Sequence, residues 1–211
     1  MFRSITVLAA VAVVFVLVSG IAMAAPSFLG TSGLILTPDD SVLGVSDFSA
    51  GYHDLDWATV IGVNVGVAQN LELGIARLDS DGADEDTMLN AKYRLLAETA
   101  TAPSVVIGVV DSDFYGVVGK NLTPMATGIT GEPVMPLRGF VGIGSGDYDG
   151  VFAGVDWAIT QKAKIIAEYI AEDSVFNVGA RLAITDSLTF DAAMIDGDDF
   201  AFGISYTKLG L

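Results

Sequence analysis

One pairing in this chain could hold a general base. His53 is the single histidine and precedes Asp54; a carboxylate that orients an imidazole is a common way to activate water or a hydroxyl. Such a site needs a nucleophile or a metal, and the sequence has no cysteine, no G-x-S-x-G turn, no H-E-x-x-H pair and no G-x-x-x-x-G-K-[ST] loop. The glycines of Gly142-Ile143-Gly144-Ser145-Gly146-Asp147 mark a strand-to-turn passage, since no helix pattern follows them. The expectation is therefore no catalytic residue and no enzyme, with His53 an interfacial residue at the outer end of a strand.

The acids suggest a second chemistry. An Asp-x-Asp spacing recurs at 54/56, 79/81, 111/113, 147/149 and 196/198. The densest loop gathers Asp79, Asp81, Asp84, Glu85 and Asp86. Hard cations such as Ca2+ take about six to eight oxygen ligands, and a flexible loop with five carboxylates supplies several. Asp and Gly also favour turns for backbone reasons alone. A cation site at this loop, a diffuse accumulation of Ca2+ or Mg2+, and a plain solvated turn all fit.

A third set of charges lies within the segments that must position them. Glu72, Lys92, Arg94, Lys120, Arg138, Asp156, Lys164, Glu168, Arg181 and Asp191 alternate with apolar residues. Ile61, Val63, Val65 and Val67 likewise oppose Val60, Gly62, Asn64 and Gly66; Phe200, Phe202, Ile204 and Tyr206 oppose Ala201, Gly203 and Ser205. A period of two is the strand signature. It predicts twelve strands, near 46–53, 57–67, 71–79, 86–97, 104–111, 113–121, 137–145, 150–159, 163–170, 174–184, 187–195 and 199–207; merging 104–111 with 113–121 and another marginal pair would give ten. Most have the length of a tilted strand crossing a bilayer, about 9 to 11 residues. Arg77 fits neither face, and a bulge is expected there.

Composition says where such strands belong. The chain is 52% hydrophobic yet carries a net charge of −16, so apolar and charged surface must be separated in space. A membrane barrel separates them, with an apolar belt toward lipid and charge in loops and lumen. The acidity excludes a nucleic-acid face, which needs clustered Lys and Arg. At the start, Arg3, the apolar run 5–18 and Ala22-Met23-Ala24 have the order of a secretory signal, with cleavage expected after Ala24. The expected organisation is a signal peptide at 1–24, a segment at 25–45 that either plugs the lumen or adds a strand, and an all-β, antiparallel up-and-down transmembrane barrel at 46–211.

The connections sort by charge. Those after odd-numbered strands hold Asp54, Asp56, Asp79, Asp81, Asp84, Glu85, Asp86, Asp111, Asp113, Asp147, Asp149, Glu172, Asp173, Asp196, Asp198 and Asp199, sixteen of the 26 acids, with no Lys or Arg. Those after even-numbered strands hold only Glu98, Glu132 and Asp186. A meander puts the two sets at opposite ends, which predicts one strongly acidic rim, facing outward from the cell if both termini are periplasmic.

Several stretches resemble the YjbH-like outer-membrane proteins linked to exopolysaccharide production and related short barrels: GLILTPDD at 33–40, TMLNAKYRLL at 87–96, IAEY at 166–169, NVGAR at 177–181 and FGISY at 202–206. Together they run through most of the chain beyond the signal. The end, Lys208-Leu209-Gly210-Leu211, departs from the terminal aromatic usual in outer-membrane proteins. The resemblance implies a bacterial outer-membrane barrel with a role in the envelope and carries no catalytic residues. The resulting expectation is a non-enzymatic, exopolysaccharide-associated barrel whose acidic rim attracts Ca2+ or Mg2+. Its partners would be membrane lipid, lipopolysaccharide, and exopolysaccharide or its export machinery. A small passive porin and a secreted soluble β-sandwich with calcium-binding loops remain as alternatives.

Overall fold

Residues that alternate apolar with small or polar side chains give strands with two unlike faces, and here the strands close on themselves. The structure, a computed structural model, describes residues 24–80, 82, 84–132 and 134–210; most of the expected signal peptide therefore lies outside the described residues. The strands are β1 (Phe48–Leu55), β2 (Ala58–Ala68), β3 (Leu71–Ser80), β4 (Asp86–Leu96), β5 (Ser104–Val110), β6 (Asp113–Asn121), β7 (Leu137–Gly144), β8 (Gly150–Ala158), β9 (Ala163–Ile170), β10 (Val175–Ala183), β11 (Leu188–Ile195) and β12 (Asp199–Lys208). Each pairs antiparallel with its neighbours in sequence, and β1 pairs with β12 to close the barrel. The protein is a twelve-stranded up-and-down barrel, and neither the ten-strand alternative nor a two-sheet sandwich forms. β5 and β6 stay separate because Asp111, in a left-handed conformation (φ 52°), turns the chain within two residues.

The outer wall is apolar. Ile61, Leu73, Ile75, Leu89, Ile107, Val141 and Ile204 are exposed on it. Aromatic residues gather toward its two ends, with Trp57, Phe114, Phe176 and Phe200 at one and Tyr93, Trp157 and Tyr206 at the other. In water this belt would be a very large unfavourable patch; against lipid it is the expected surface of a closed barrel. Arg77 lies on this outer phase with Leu73 and Ile75, and its pairing with Ile61 is regular. The expected bulge is not there: β2 is irregular between Gly66 and Ala68 instead. Arg77 stands on the outer phase because it is near the strand end, where it reaches Glu85.

The interior is filled. Toward the end bearing the odd connections, Leu55, Met88, Val110, Tyr115, Phe152 and Ile195 form an apolar core. A single 3-10 turn (Gly146–Tyr148) folds Tyr148 into this core, with ring centroids 5.4 Å from Tyr115 and 6.4 Å from Phe152. The other half holds residues 24–45, which do not join the wall. They fold into a compact double turn, with Phe28 N–H donating to Ile35 O at 2.7 Å and Leu34 N–H to Thr37 O at 2.9 Å. Phe28, Leu34 and Ile35 extend the apolar core from this side. The wall is shaped to receive the segment: a Cβ on Gly66 would lie 1.8 Å from Gly44 O, and one on Gly154 2.3 Å from Leu34 Cδ1. A short helix, α1 (Thr123–Thr130), lies in the connection between β6 and β7 and buries none of its residues.

Candidate functional site in the lumen

Alternation decides first which polar residues face inward. On β3, β4, β9 and β10 the inward phase carries Glu72, Lys92, Glu168 and Arg181, all buried. A charge can be buried only if it is paired and hydrogen-bonded, and for these four the partners come largely from the segment 24–45.

Glu168 is the main anchor. Its carboxylate accepts from three successive backbone N–H groups, Ile35 (3.2 Å), Leu36 (2.8 Å) and Thr37 (3.2 Å), and from the Thr37 hydroxyl (2.7 Å) and Asn177 Nδ2 (2.9 Å). Consecutive N–H groups turned to one side make a concavity for an anion. Glu72 accepts from the Ser32 hydroxyl (2.8 and 2.9 Å), Ser32 N (3.3 Å) and Leu43 N (3.0 Å). Lys92 Nζ donates to Ser32 O at 2.6 Å and pairs with Asp39 at 3.4 Å. Arg181 pairs with Asp191 at 2.6 Å and spreads its remaining N–H groups over the carbonyls of Pro26 (3.1 Å), Gly33 (3.1 Å) and Leu34 (3.0 Å).

The other wall charges meet at the mouth on the side of the even connections. Arg138 binds Asp40 at 2.8 Å and Glu98 at 2.9 Å, Lys164 binds Asp156 at 2.9 Å, and Arg94 donates to Asp40 O at 3.3 Å. They line a cavity of about 410 Å³. Burial works to raise the Asp39 carboxyl, but Lys92 and two hydrogen bonds from Ser41 outweigh it and hold the group below the ordinary range. Asp40 is pushed the other way, by burial and by Asp39 beside it, with Arg138 offsetting only part. At Glu98 the hydrogen bond from Asn121 N and the Arg138 guanidinium overcome desolvation and lower the carboxyl.

Two residues stand elsewhere than the sequence suggested. Lys120 is on the outer phase of β6 and not in the lumen. Tyr115 and Val117 occupy the inward phase of that strand, Tyr115 reaching Thr31 at 3.5 Å, so Lys120 must face out. It folds over the rim onto the carbonyls of Thr99 (2.6 Å), Ala100 (3.3 Å) and Ala102 (3.2 Å), and lies 3.5 Å from Glu98. His53, expected at the interface, is 1% exposed and packs inward on Gly51, Gly203 and Phe28, 4.9 Å between ring centroids. Asp54 is on the opposite face, where it accepts from Thr59. Successive strand residues point apart, so adjacency in sequence keeps this carboxylate away from the imidazole. Neither ring nitrogen has a hydrogen-bond partner among the described residues.

Of the acidic loop, Asp79 is on the outer phase of β3, Glu85 pairs with Arg77, and Asp86 accepts from Thr87 N at 2.8 Å; Asp81 lies outside the described residues. Among the described residues no three carboxylate or histidine side chains converge on a metal position. The acids Asp56, Asp84, Asp111, Asp149, Glu172, Asp173, Asp196 and Asp198 all fall in connections that follow odd-numbered strands.

Asp39, Asp40 and Ser32 were not among the candidate site residues. One signal pointed to the two acids: the wall set as read from sequence has six cations and four carboxylates, and a buried excess of positive charge needs counter-ions from elsewhere.

No family model matches the sequence, and no curated protein sequence is similar to it. Among solved structures, the chain resembles the KdgM porin, at 12% identity and a TM-score of 0.51 over 76% of this chain and 98% of that one. It also aligns with the NanC porin (10% identity, TM-score 0.42, 78% and 99%) and the Acinetobacter baumannii outer membrane protein Omp33 (13%, 0.40, 76% and 94%). The likeness to the KdgM porin is one of fold: this chain has the architecture of a small porin-type barrel, around a lumen occupied by its own residues 24–45.

Proposed function

We propose that the protein is a non-enzymatic outer-membrane barrel that is closed at rest and acts as an envelope scaffold. The filled lumen carries this reading. One half is packed by aromatic and aliphatic side chains, the other by the segment 24–45, whose backbone is held by Glu72, Lys92, Glu168 and Arg181. A passive pore needs a continuous polar channel, whereas this interior is occupied by the segment and by the wall charges that bind it. The acids after the odd strands would form an extracellular rim that concentrates Ca2+ or Mg2+ and bridges to lipopolysaccharide phosphates or an acidic exopolysaccharide. The resemblance of its short motifs to those of the YjbH-like proteins supports the envelope role.

Planar-bilayer recording tests the closed state. The chain lacking 1–24 is expected to insert without discrete conductance, and deletion of 25–45 to produce frequent openings. Nanosiemens steps from the chain that retains 25–45 would overturn the proposal in favour of a small porin, whose segment 24–45 would then have to leave the lumen.

A further inference from the structure

The connection between β6 and β7 (122–136) takes no part in the apolar core. It carries a single charge, Glu132, and its helix α1 buries none of its residues. At about 100° per residue, Thr123, Thr127 and Thr130 fall on one side of this helix, and Pro124, Met125, Gly128 and Ile129 on the other. The threonine side is turned to the barrel, since Thr123 Oγ1 accepts from Leu137 N, at the first residue of β7, at 3.0 Å. The apolar side is left open, with Met125 65% and Ile129 81% exposed. In water such a face is unfavourable.

The neighbours of the helix point to what covers it. Leu122, the residue before α1, lies against Gly139, where an added Cβ would come 2.7 Å from its Cδ1. Gly139 pairs with Lys120 on the outer phase of the wall, so the chain leaves β6 on the side of the barrel that faces lipid. Lys120 sends its ammonium from this wall to the carbonyls of the rim, as a lysine does where hydrocarbon gives way to water. Trp157 pairs with Leu137 on the same outer phase, the usual place of an interfacial indole ring. Below them the wall holds an apolar groove of about 510 Å³ between Val118, Lys120, Gly139, Val141, Val155 and Tyr169, so the lipid-facing surface is continuous from the belt to Leu122. We propose that α1 is an interfacial anchor, its face of Pro124, Met125, Gly128 and Ile129 seated in the phospholipid leaflet at the end of the barrel opposite the acidic rim. The idea rests on the reading that the barrel spans a bilayer. An amphipathic helix in this plane buries its apolar face about 5–10 Å into the boundary between headgroups and acyl chains, and here it would fix the level of the barrel in the membrane.

The chain has no cysteine, so single cysteines can carry a fluorescent label at chosen positions. Met125→Cys, Thr127→Cys, Ile129→Cys, Val141→Cys and Gln161→Cys are each labelled with bimane and reconstituted into phosphatidylcholine and phosphatidylglycerol vesicles, with and without a nitroxide near the head of the acyl chains. Val141 on the belt and Gln161, exposed in the connection between β8 and β9 at the same end, set the upper and lower limits of quenching. Quenching at Met125 and Ile129 about two-fold or more above that at Gln161 is expected for a face at this boundary, with Thr127 close to Gln161. Because bimane is itself apolar, Met125→Cys is also measured with Ile129→Asp, which is expected to return the label to the Gln161 value. Equal quenching at Met125, Ile129 and Gln161 while Val141 is strongly quenched overturns the anchor alone, as does an unchanged value in the Ile129→Asp variant. An unquenched Val141 overturns the spanning reading first, and the anchor with it. Rapid, complete disulfide dimerisation of unlabelled Ile129→Cys in the vesicles would place a second copy on this face and likewise overturn the proposal.

Discussion

The hold of Glu168 on the plug can be measured at single amides. In Glu168→Gln the side chain keeps its shape but loses its charge, and one oxygen becomes an NH2 group. If Oε2 is replaced, that group faces Ile35 N, Thr37 N and the Thr37 hydroxyl; if Oε1, it faces Leu36 N and Asn177 Nδ2. Either rotamer sets donor against donor at two or more contacts. Hydrogen bonds to a charged acceptor contribute about 1.5–3 kcal/mol each, so the seating of residues 35–37 should weaken by at least about 1.5 kcal/mol, the Oε1 rotamer costing the segment the Leu36 contact alone. At about 1.4 kcal/mol per tenfold, hydrogen exchange at Ile35, Leu36 and Thr37 should accelerate about ten-fold or more. The wall should persist, because its ladders do not involve these residues: β8, β9 and β10 pair through their own backbones. The assay is hydrogen exchange in detergent, read by mass spectrometry, with heat-modifiable gel migration as the check on the barrel. Unchanged exchange at these three amides would refute the view that buried carboxylates hold the plug.

Gly66→Ala puts a methyl where Gly44 O stands; overpacking of this kind costs about 1–3 kcal/mol, so exchange should rise at Leu43 and Gly44, and a wild-type pattern there would contradict the close approach. Glu98 has its carboxyl lowered from the ordinary value of 4.5 by Asn121 N and Arg138 against desolvation; its stabilisation is therefore fully present above 4.5 and lost as the pH falls through the lower folded value. Wild type should melt above Glu98→Gln at neutral pH and the two should converge once the pH is below the lowered folded value, whereas a constant gap would reject the linkage. If the acidic rim gathers cations, millimolar calcium should raise the melting temperature, and replacing Asp84, Glu85 and Asp86 by Asn, Gln and Asn should reduce that rise; a calcium-independent melting curve would remove the cation role.

The wall of this protein was readable from its residues. All twelve strands lie within two residues of the expected limits, because a wall between lipid and lumen imposes a period of two locally, strand by strand, without reference to distant contacts. The same alternation indicated which charges face inward, except where a phase offered both choices: Tyr115 and Val117 against Phe114 and Val118 on β6 was settled by packing of Tyr115 beneath Tyr148, which sent Lys120 outside. What tertiary structure alone decided was the content of the lumen. Residues 24–45 have no period of their own, and the groups that hold them lie far along the chain: Ile35, Leu36 and Thr37 are more than 130 residues from Glu168. His53 and Asp54 show the converse, neighbours in sequence that the pleat sends to opposite faces. A strand's two faces are set by local backbone geometry, whereas a plug is set by the shape and charge of a cavity that exists only once the barrel has closed.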